Sequence, residues 1–580
     1  MTVRKRAETM WHLKSTLEWA AVRGLMVLDK WLRMPFKRLP STIPALSPQV
    51  LREKKSMVPM RDGVRLFTDV YRPADARRRA TSGRLPAMLI RVPYGAREPY
   101  TYMPVVARYW AERGFVCVIQ DVRGRFGSEG AWEPTVNEID DGYDTIEWVS
   151  RQEWCDGRVV MTGESYYAFT QWAAAASQHP ALAAVAPGDM GLDQHALLYE
   201  GGALCLDTTA MWLCDQSARR YINYFRLDPN HLPAVEMPRA GGISAPQYEE
   251  AVSRPHRDAF WDDVDHSNLI QKVQVPVLVW TGWYDVLMRG TLQAWAELER
   301  VRPGGPQQLI IGPTDHETNA DFDLSVGRIP VASGPRSWDR IHAFMTEVLA
   351  QPVGSPLAGP RVRAYQVGAD EWHELDEWPM GHDDAGLQLF PQSDGSLAAA
   401  PDQGSAGYRY DPAHPVDWWK GKDLWSATLG LGDRRALEER DDVLVFRGPS
   451  LAAPVDILGS VSASVTVTFD TPGTDVTAAL VDVFPDGYSQ LVTEGILRIT
   501  PEIRAEAEQV KVTIDLGATG HRFGAGHRIG LELASSNFPR WDRNLNTGEV
   551  PALSRDPVVA NVVFDLNGCQ LNLEAVGAKQ

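Results

Sequence analysis

Val159-Val160-Met161-Thr162-Gly163-Glu164-Ser165-Tyr166-Tyr167-Ala168 is an apolar strand that breaks at a Gly-x-Ser turn and runs on as a helix. A strand that turns sharply into a helix at a serine is a nucleophile elbow. It exposes the hydroxyl at the carboxyl end of a sheet, beside helix N-terminal N–H groups that face a developing oxyanion. The common elbow has a second Gly two residues after the Ser, and Tyr167 stands there in this chain. For the motif alone, a purely structural turn is therefore the alternative reading.

The flanking pattern supports the elbow. Met57 to Met60, an Arg61-Asp62-Gly63 turn and Val64 to Tyr71 read as an antiparallel hairpin. Strands then alternate with helices: Ala87 to Val92, a helix near Val105 to Arg113, Phe115 to Gln120, a helix from Ile139 to Arg151, then Arg158 to Thr162. Such alternation predicts an α/β fold, a parallel sheet with helices on both faces. The pattern stops near Asp193 and resumes at Val275 to Thr281 and Gln308 to Ile311. The predicted organisation is an α/β-hydrolase domain over residues 51–192 and 271–354, with a helical cap insertion over 193–270 where substrate pockets form. Short strands separated by Gly, Pro and Asp turns predict an all-β jelly-roll sandwich over 355–580.

An α/β-hydrolase presents its triad in the chain order Ser, acid, His, with acid and His each just past a later strand. Val277 to Thr281 leads to Gly282-Trp283-Tyr284-Asp285, and Leu309 to Ile311 leads to Gly312-Pro313-Thr314-Asp315-His316. Either residue alone has a packing or capping explanation; the three in order point to Ser165, Asp285 and His316. A serine hydroxyl needs a base to take its proton, and His titrates near enough to neutral pH to take and return it. Asp285 would orient the imidazole. Asp315 is the rival acid, but as the sequence neighbour of His316 its side chain is expected to point elsewhere.

Bulk composition narrows the partners. At 580 residues with 44% hydrophobic content the chain is large enough for two or three cored domains. A formal net charge of -17 argues against nucleic acid and against an anionic membrane for the body of the protein. Cys117, Cys155, Cys205, Cys214 and Cys569 are scattered without a CxxC pair and read as buried reduced thiols. Residues 1–50 form a basic amphipathic extension in which the Trp11 to Phe36 stretch is broken by Lys14, Arg23, Lys30 and Arg33. It reads as neither a spanning helix nor a signal peptide. Docking on the body or on another subunit is its expected role, and peripheral membrane contact is the alternative. These features predict a cytoplasmic location, and self-association into a homo-oligomer is compatible with them.

Further blocks carry a resemblance. They are Met60-Arg61-Asp62-Gly63-Val64, Arg91-Val92-Pro93-Tyr94-Gly95, Gln120-Asp121-Val122-Arg123-Gly124, Gly127-Ser128-Glu129-Gly130 and Trp154-Cys155-Asp156-Gly157, followed by the elbow, Gly282-Trp283-Tyr284-Asp285 and Gly312-Pro313. Val481 to Gly487, Gly526 to Ile529 and Ser535 to Gly548 continue the series into the sandwich. From about residue 56 onward the chain resembles the CocE/NonD hydrolases, the group of cocaine esterases, α-amino-acid ester hydrolases, glutaryl acylases and X-Pro dipeptidyl-peptidases. The resemblance implies an oxyanion hole made by the Tyr94 phenol and the Tyr166 backbone N–H. The chain departs from the family pattern at Ala168, where Gly is usual, and at Thr314-Asp315, where Trp is common before the His. The Asp121 and Arg123 block reads as structural.

The expected activity is hydrolysis of an acyl ester, or an amide, through an acyl-enzyme on Ser165, with a small-molecule substrate and no metal or organic cofactor. Trp283, Tyr284 and Glu164 are the candidate pocket residues. Tyr199-Glu200-Gly201-Gly202-Ala203-Leu204 resembles the esterase branch. An α-amino-acyl ester hydrolase or X-Pro dipeptidyl-peptidase would need a carboxylate cluster for the substrate ammonium, for which Asp189, Asp193, Glu200 and Asp207 are candidates. Acyl transfer or ring closure with the same serine, and a binding protein with a relic site, are further alternatives.

Overall fold

A computed structural model of the chain describes residues 39–575 apart from residues 40, 54, 98–101, 219–225, 317–324, 333–336, 353, 379–385, 418–430 and 506. The Trp11 to Phe36 stretch thus lies outside the described residues.

The elbow strand sits near the middle of an 11-stranded sheet. Its strands are β1 (Gln49–Arg52), β2 (Ser56–Pro59), β3 (Arg65–Ala74), β4 (Leu85–Val92), β5 (Val116–Asp121), β6 (Cys155–Glu164), β7 (Leu182–Gly188), β10 (Val277–Gly282), β11 (Gln307–Gly312), β14 (Val362–Gln366) and β15 (Glu371–Leu375). Two short hairpins lie outside it, β8 (Tyr199–Glu200) with β9 (Ala203–Leu204) and β12 (Ser325–Val326) with β13 (Ile329–Pro330). The order is β1-β3-β5-β4-β6-β7-β10-β11-β14-β15, with β2 on β3. Pairing is parallel from β5 through β14 and antiparallel at both margins. The interior strands are buried on both faces, as continuous Val, Ile and Leu runs require.

Helices α1 (Met103–Glu112), α2 (Glu138–Ser150) and α3 (Tyr166–Ala176) cover the sheet. Every residue of α3 is buried, a consequence of its Ala-rich, aromatic sequence packing between sheet and cap. Two core clusters line the two faces of the sheet, and a third fills the cap around Leu204, Met211, Tyr248 and Trp261. The cap between β7 and β10 is built of short helical turns plus the β8–β9 hairpin.

The sandwich has a seven-stranded and a four-stranded sheet. Its core alternates inward-facing Val, Ile, Leu and Phe from both. Strands β14 and β15 lie beyond residue 354, where the sequence reading begins the sandwich, and hydrogen-bond into the large sheet. β14 reads as a β segment in either domain; only its parallel register with β11 (Leu309↔Val362) assigns it. All five cysteines are buried free thiols. Among the described residues no helix is long and apolar enough to cross a membrane.

Candidate active site

Register sets the site. Glu164 pairs with Gly188, Gly188 with Trp280 and Gly282 with Gly312, so the carboxyl ends of β6, β7, β10 and β11 finish at one edge. Ser165, Asp189, Asp285 and His316 all follow these ends.

Ser165 has φ 58 and ψ -135 and stands at the N-cap of α3. A non-glycine residue held there costs on the order of 1–3 kcal/mol, a strain the surrounding packing must maintain. Gly163 has φ +136, and a Cβ on it would lie 1.9 Å from the Tyr167 ring. Tyr167, which stands where a second Gly is usual, thus makes Gly163 obligatory by lying across it. Ala168 is fully buried, its methyl accommodated in the same interface.

Asp285 is buried, and its two oxygens have separate partners: Oδ1 accepts the Leu287 N–H at 2.6 Å, and Oδ2 lies 2.8 Å from His316 Nδ1. Asp315 is not the partner of that nitrogen. The acid and base loops are tied together by Trp283 N–H to Gly312 O at 2.9 Å and Tyr284 N–H to Thr314 O at 3.1 Å. Gly282 permits this approach, since a Cβ there would fall 2.1 Å from Thr314 O.

Burial alone would pull the His316 pKa down; the Asp285 charge and hydrogen bond, with smaller contributions from Asp189 and Glu164, outweigh it and hold the imidazole at about 10. The Tyr94 phenol is pushed up to about 12, chiefly by burial, and so keeps its proton at neutral pH. Its oxygen lies 3.5 Å from Ser165 Oγ and accepts the Trp212 indole N–H at 3.1 Å. The phenol thus accepts from Trp212 and lies within reach of the serine oxygen. Tyr166 contributes the first N–H of α3, one of the donors a helix leaves without an internal partner. Its side chain is buried, donating to Glu138 Oε1 at 2.9 Å.

Ser165 and His316 open into one cavity of about 540 Å³. Its wall is mostly apolar, with Leu197, Leu213, Trp212, Phe260, Trp261 and Val286 prominent. Trp283 and Tyr284, expected in this wall, are not there. Both are fully buried, with the Trp283 indole donating to Tyr365 O at 2.6 Å, and both belong to a core cluster that takes in sandwich residues such as Val481 and Leu491. Burying side chains of this size stabilises by about 1.5–3 kcal/mol each. Glu164 is half-buried and accepts the Tyr167 hydroxyl at 2.9 Å; it too lies outside the cavity lining. Trp212 was missed because the cap carries no periodic signal that marks its inward face.

The candidate ammonium-binding carboxylates do not converge. Asp193 caps the Gln194–Leu198 helix through Ala196 N–H at 3.0 Å and pairs with Arg257. Glu200 pairs with Arg289 at 2.8 Å and Arg540 at 3.2 Å, joining cap to sandwich. Asp207 is buried, with its backbone N–H bonded to Pro539 O. Asp189 lies with Asp285 and His316, all three side chains presenting polar atoms within 4.8 Å of one another. Among the described residues this is the one grouping compact enough for a metal ion, and it contains the candidate acid and base.

The chain is similar to known proteins over most of its length. A cocaine esterase of Rhodococcus sp. (strain MB1 Bresler) is 32% identical over 542 residues, covering 86% of this chain and 92% of the relative. This chain belongs to the CocE/NonD family of serine hydrolases. The X-Pro dipeptidyl-peptidase (S15 family) profile matches residues 62–318 of this CocE/NonD hydrolase, and the X-Pro dipeptidyl-peptidase C-terminal non-catalytic domain profile matches residues 358–569. An aminopeptidase from a marine sediment archaeon, Thaumarchaeota archaeon, superposes with a TM-score of 0.80 at 25% identity, covering 93% of this chain and 99% of its own. An α-amino acid ester hydrolase superposes with a TM-score of 0.79 at 24% identity, covering 93% and 98%. The α/β domain plus all-β C-terminal domain predicted from the sequence is the fold of this family.

For this CocE/NonD hydrolase the Tyr94 geometry makes a sharp prediction. If the Tyr94 phenol is one of two oxyanion donors, Tyr94→Phe is expected to lower kcat on a p-nitrophenyl ester about 10²–10³-fold with little change in KM. Steady-state kinetics check it, and a fall confined to KM would contradict it.

Proposed function

We propose that this serine esterase cleaves carboxylic esters with bulky apolar groups through an acyl-enzyme on Ser165. The supporting observation is Ser165, at a strained elbow, sharing one apolar cavity with His316, whose Nδ1 lies 2.8 Å from Asp285.

His316 Nε2 takes the hydroxyl proton as Ser165 Oγ attacks the ester carbonyl. Tyr94 Oη–H and the Tyr166 N–H hold the resulting oxyanion. The tetrahedral intermediate collapses, the C–O bond to the alcohol breaks, and His316 returns the proton to the leaving alkoxide. Water then repeats the sequence on the acyl-serine and releases the acid. Asp285 holds the imidazole with Nδ1 protonated throughout.

The esterase reading is favoured over an α-amino-acyl one by the disposition of carboxylates. The cavity wall holds two, Glu133 and Glu250, both exposed, and Glu250 is bonded to Arg254. A substrate ammonium would enter a largely apolar cavity without a buried counter-charge. The test compares kcat/KM for p-nitrophenyl benzoate with that for an aromatic α-amino acid ester. The benzoate is expected to be preferred at least 10-fold, about 1.4 kcal/mol. The rate should climb with pH along a limb lying above the ordinary histidine value, because only the neutral imidazole accepts the serine proton and its pKa is raised. A preference for the amino ester would sink the substrate assignment.

A further inference from the structure

The carboxyl edge of the sheet presents more acidic side chains than a Ser-His-Asp arrangement uses, and Asp189 is the one grouped with Asp285 and His316. Asp189 follows β7, the strand between β6 and β10, just as Ser165 follows β6 and Asp285 follows β10. It is fully buried, and its backbone sits in the left-handed region at φ 47. Asp tolerates that region better than most residues. Its N–H donates to Trp280 O at 3.0 Å, which pins the turn to the strand that carries the acid loop.

The groups acting on this carboxyl come from every neighbouring strand end. Asp285 acts on it from the loop after β10, His316 from the loop after β11 and Glu164 from the end of β6. Of these, His316 is the one that can be cationic. Asp189, Asp285 and His316 place polar atoms within 4.8 Å of one another. When His316 is neutral and can act as a base, two buried carboxylates that close to it cannot both ionise cheaply, so one proton is shared between them. Leu287 N–H and His316 Nδ1 both favour the ionised form at Asp285. Burial, with the Asp285 charge second, pushes the Asp189 carboxyl well above the usual range.

We propose that Asp189 is a positioning residue for His316: a reserve acid that carries the proton while Asp285 is ionised and supports the imidazole when Asp285 is neutralised. The inference rests on His316 acting as the base. It gives the turn after β7 a role in proton management that a residue serving only to form the turn would lack.

The experiment measures kcat/KM for a p-nitrophenyl ester against pH in wild type, Asp189→Asn, Asp285→Asn and the double variant, with fluorophosphonate labelling of the wild type alongside. Asp189→Asn should lose less than Asp285→Asn, because the amide keeps the shape of the neutral carboxyl and removes only the proton it shares with Asp285. Asp285→Asn should lose about 10²-fold, and the double variant about 10⁴-fold, the size of loss found when a triad acid is amidated. The acid limb of Asp285→Asn should lie at least about one pH unit above that of the double variant, because a buried anion raises the imidazole pKa and burial without it lowers it. A purely structural role would leave the limb unmoved. A double variant no slower than Asp285→Asn overturns the proposal, and so does Asp189→Asn as slow as Asp285→Asn. A wild type that neither turns over ester nor takes up the label contradicts the reading of Ser165 itself, and the proposal falls with it.

Discussion

Ser165→Ala is expected to lower kcat on a p-nitrophenyl ester by about 10⁶-fold and to leave the protein folded, with His316→Ala causing a loss of similar size. The two should not add, because the hydroxyl and the imidazole act as one unit: without the base the serine keeps its proton, and without the serine the base has nothing to activate. What persists over uncatalysed hydrolysis would come from Tyr94, Tyr166 and the cavity, which still bind the ester and its oxyanion. Single-turnover kinetics on the double variant check the non-additivity. Losses that multiply would mean that the two residues serve separate steps.

The second large effect concerns stability. Arg498, on the sandwich strand Ser489–Ile499, is buried and bonds Asp475 Oδ2 at 2.8 Å and Asp542 Oδ1 at 2.8 Å. Asp542 Oδ1 also accepts the Leu204 N–H at 2.9 Å, and Arg498 N–H bonds Gly201 O at 2.8 Å. The ion cluster therefore fastens the cap hairpin, with the cavity wall that follows it, to the sandwich. Arg498→Ala leaves two carboxylates buried without a cation, which should cost about 3–5 kcal/mol. Burial already holds the Asp475 carboxyl above its usual pKa even with Arg498 present. In the variant the folded state would therefore bind more protons than the unfolded one, and the loss should be largest at neutral pH and shrink as pH falls. Urea unfolding at two pH values checks this. A loss that grew on acidification would contradict the account.

How much of this was legible beforehand depended on whether a residue's role followed from local pattern. Ser165, Asp285 and His316 each stand directly after an apolar strand, and parallel strands in a common register deliver their carboxyl ends to one edge, so order along the chain implied proximity in space. Trp283 and Tyr284 follow the same strand end as Asp285, yet what covers them is the sandwich, more than 150 residues further along the chain. No local periodicity encodes that contact. For the same reason the pairing of β14 with the large sheet is not legible: a five-residue strand has no signature of which sheet it joins. Trp212 and the reserve carboxyl of Asp189 emerged only when the cap and the neighbouring strand ends were placed together.

The central claim is that Ser165 becomes acylated. Brief reaction with a slowly deacylating aryl ester, acid quench, proteolysis and peptide mass analysis test it most directly. The account predicts an acyl adduct on Ser165 that forms with a burst of phenol and is absent from His316→Ala; a wild type that turns over ester with no adduct, or with one on another residue, would contradict it.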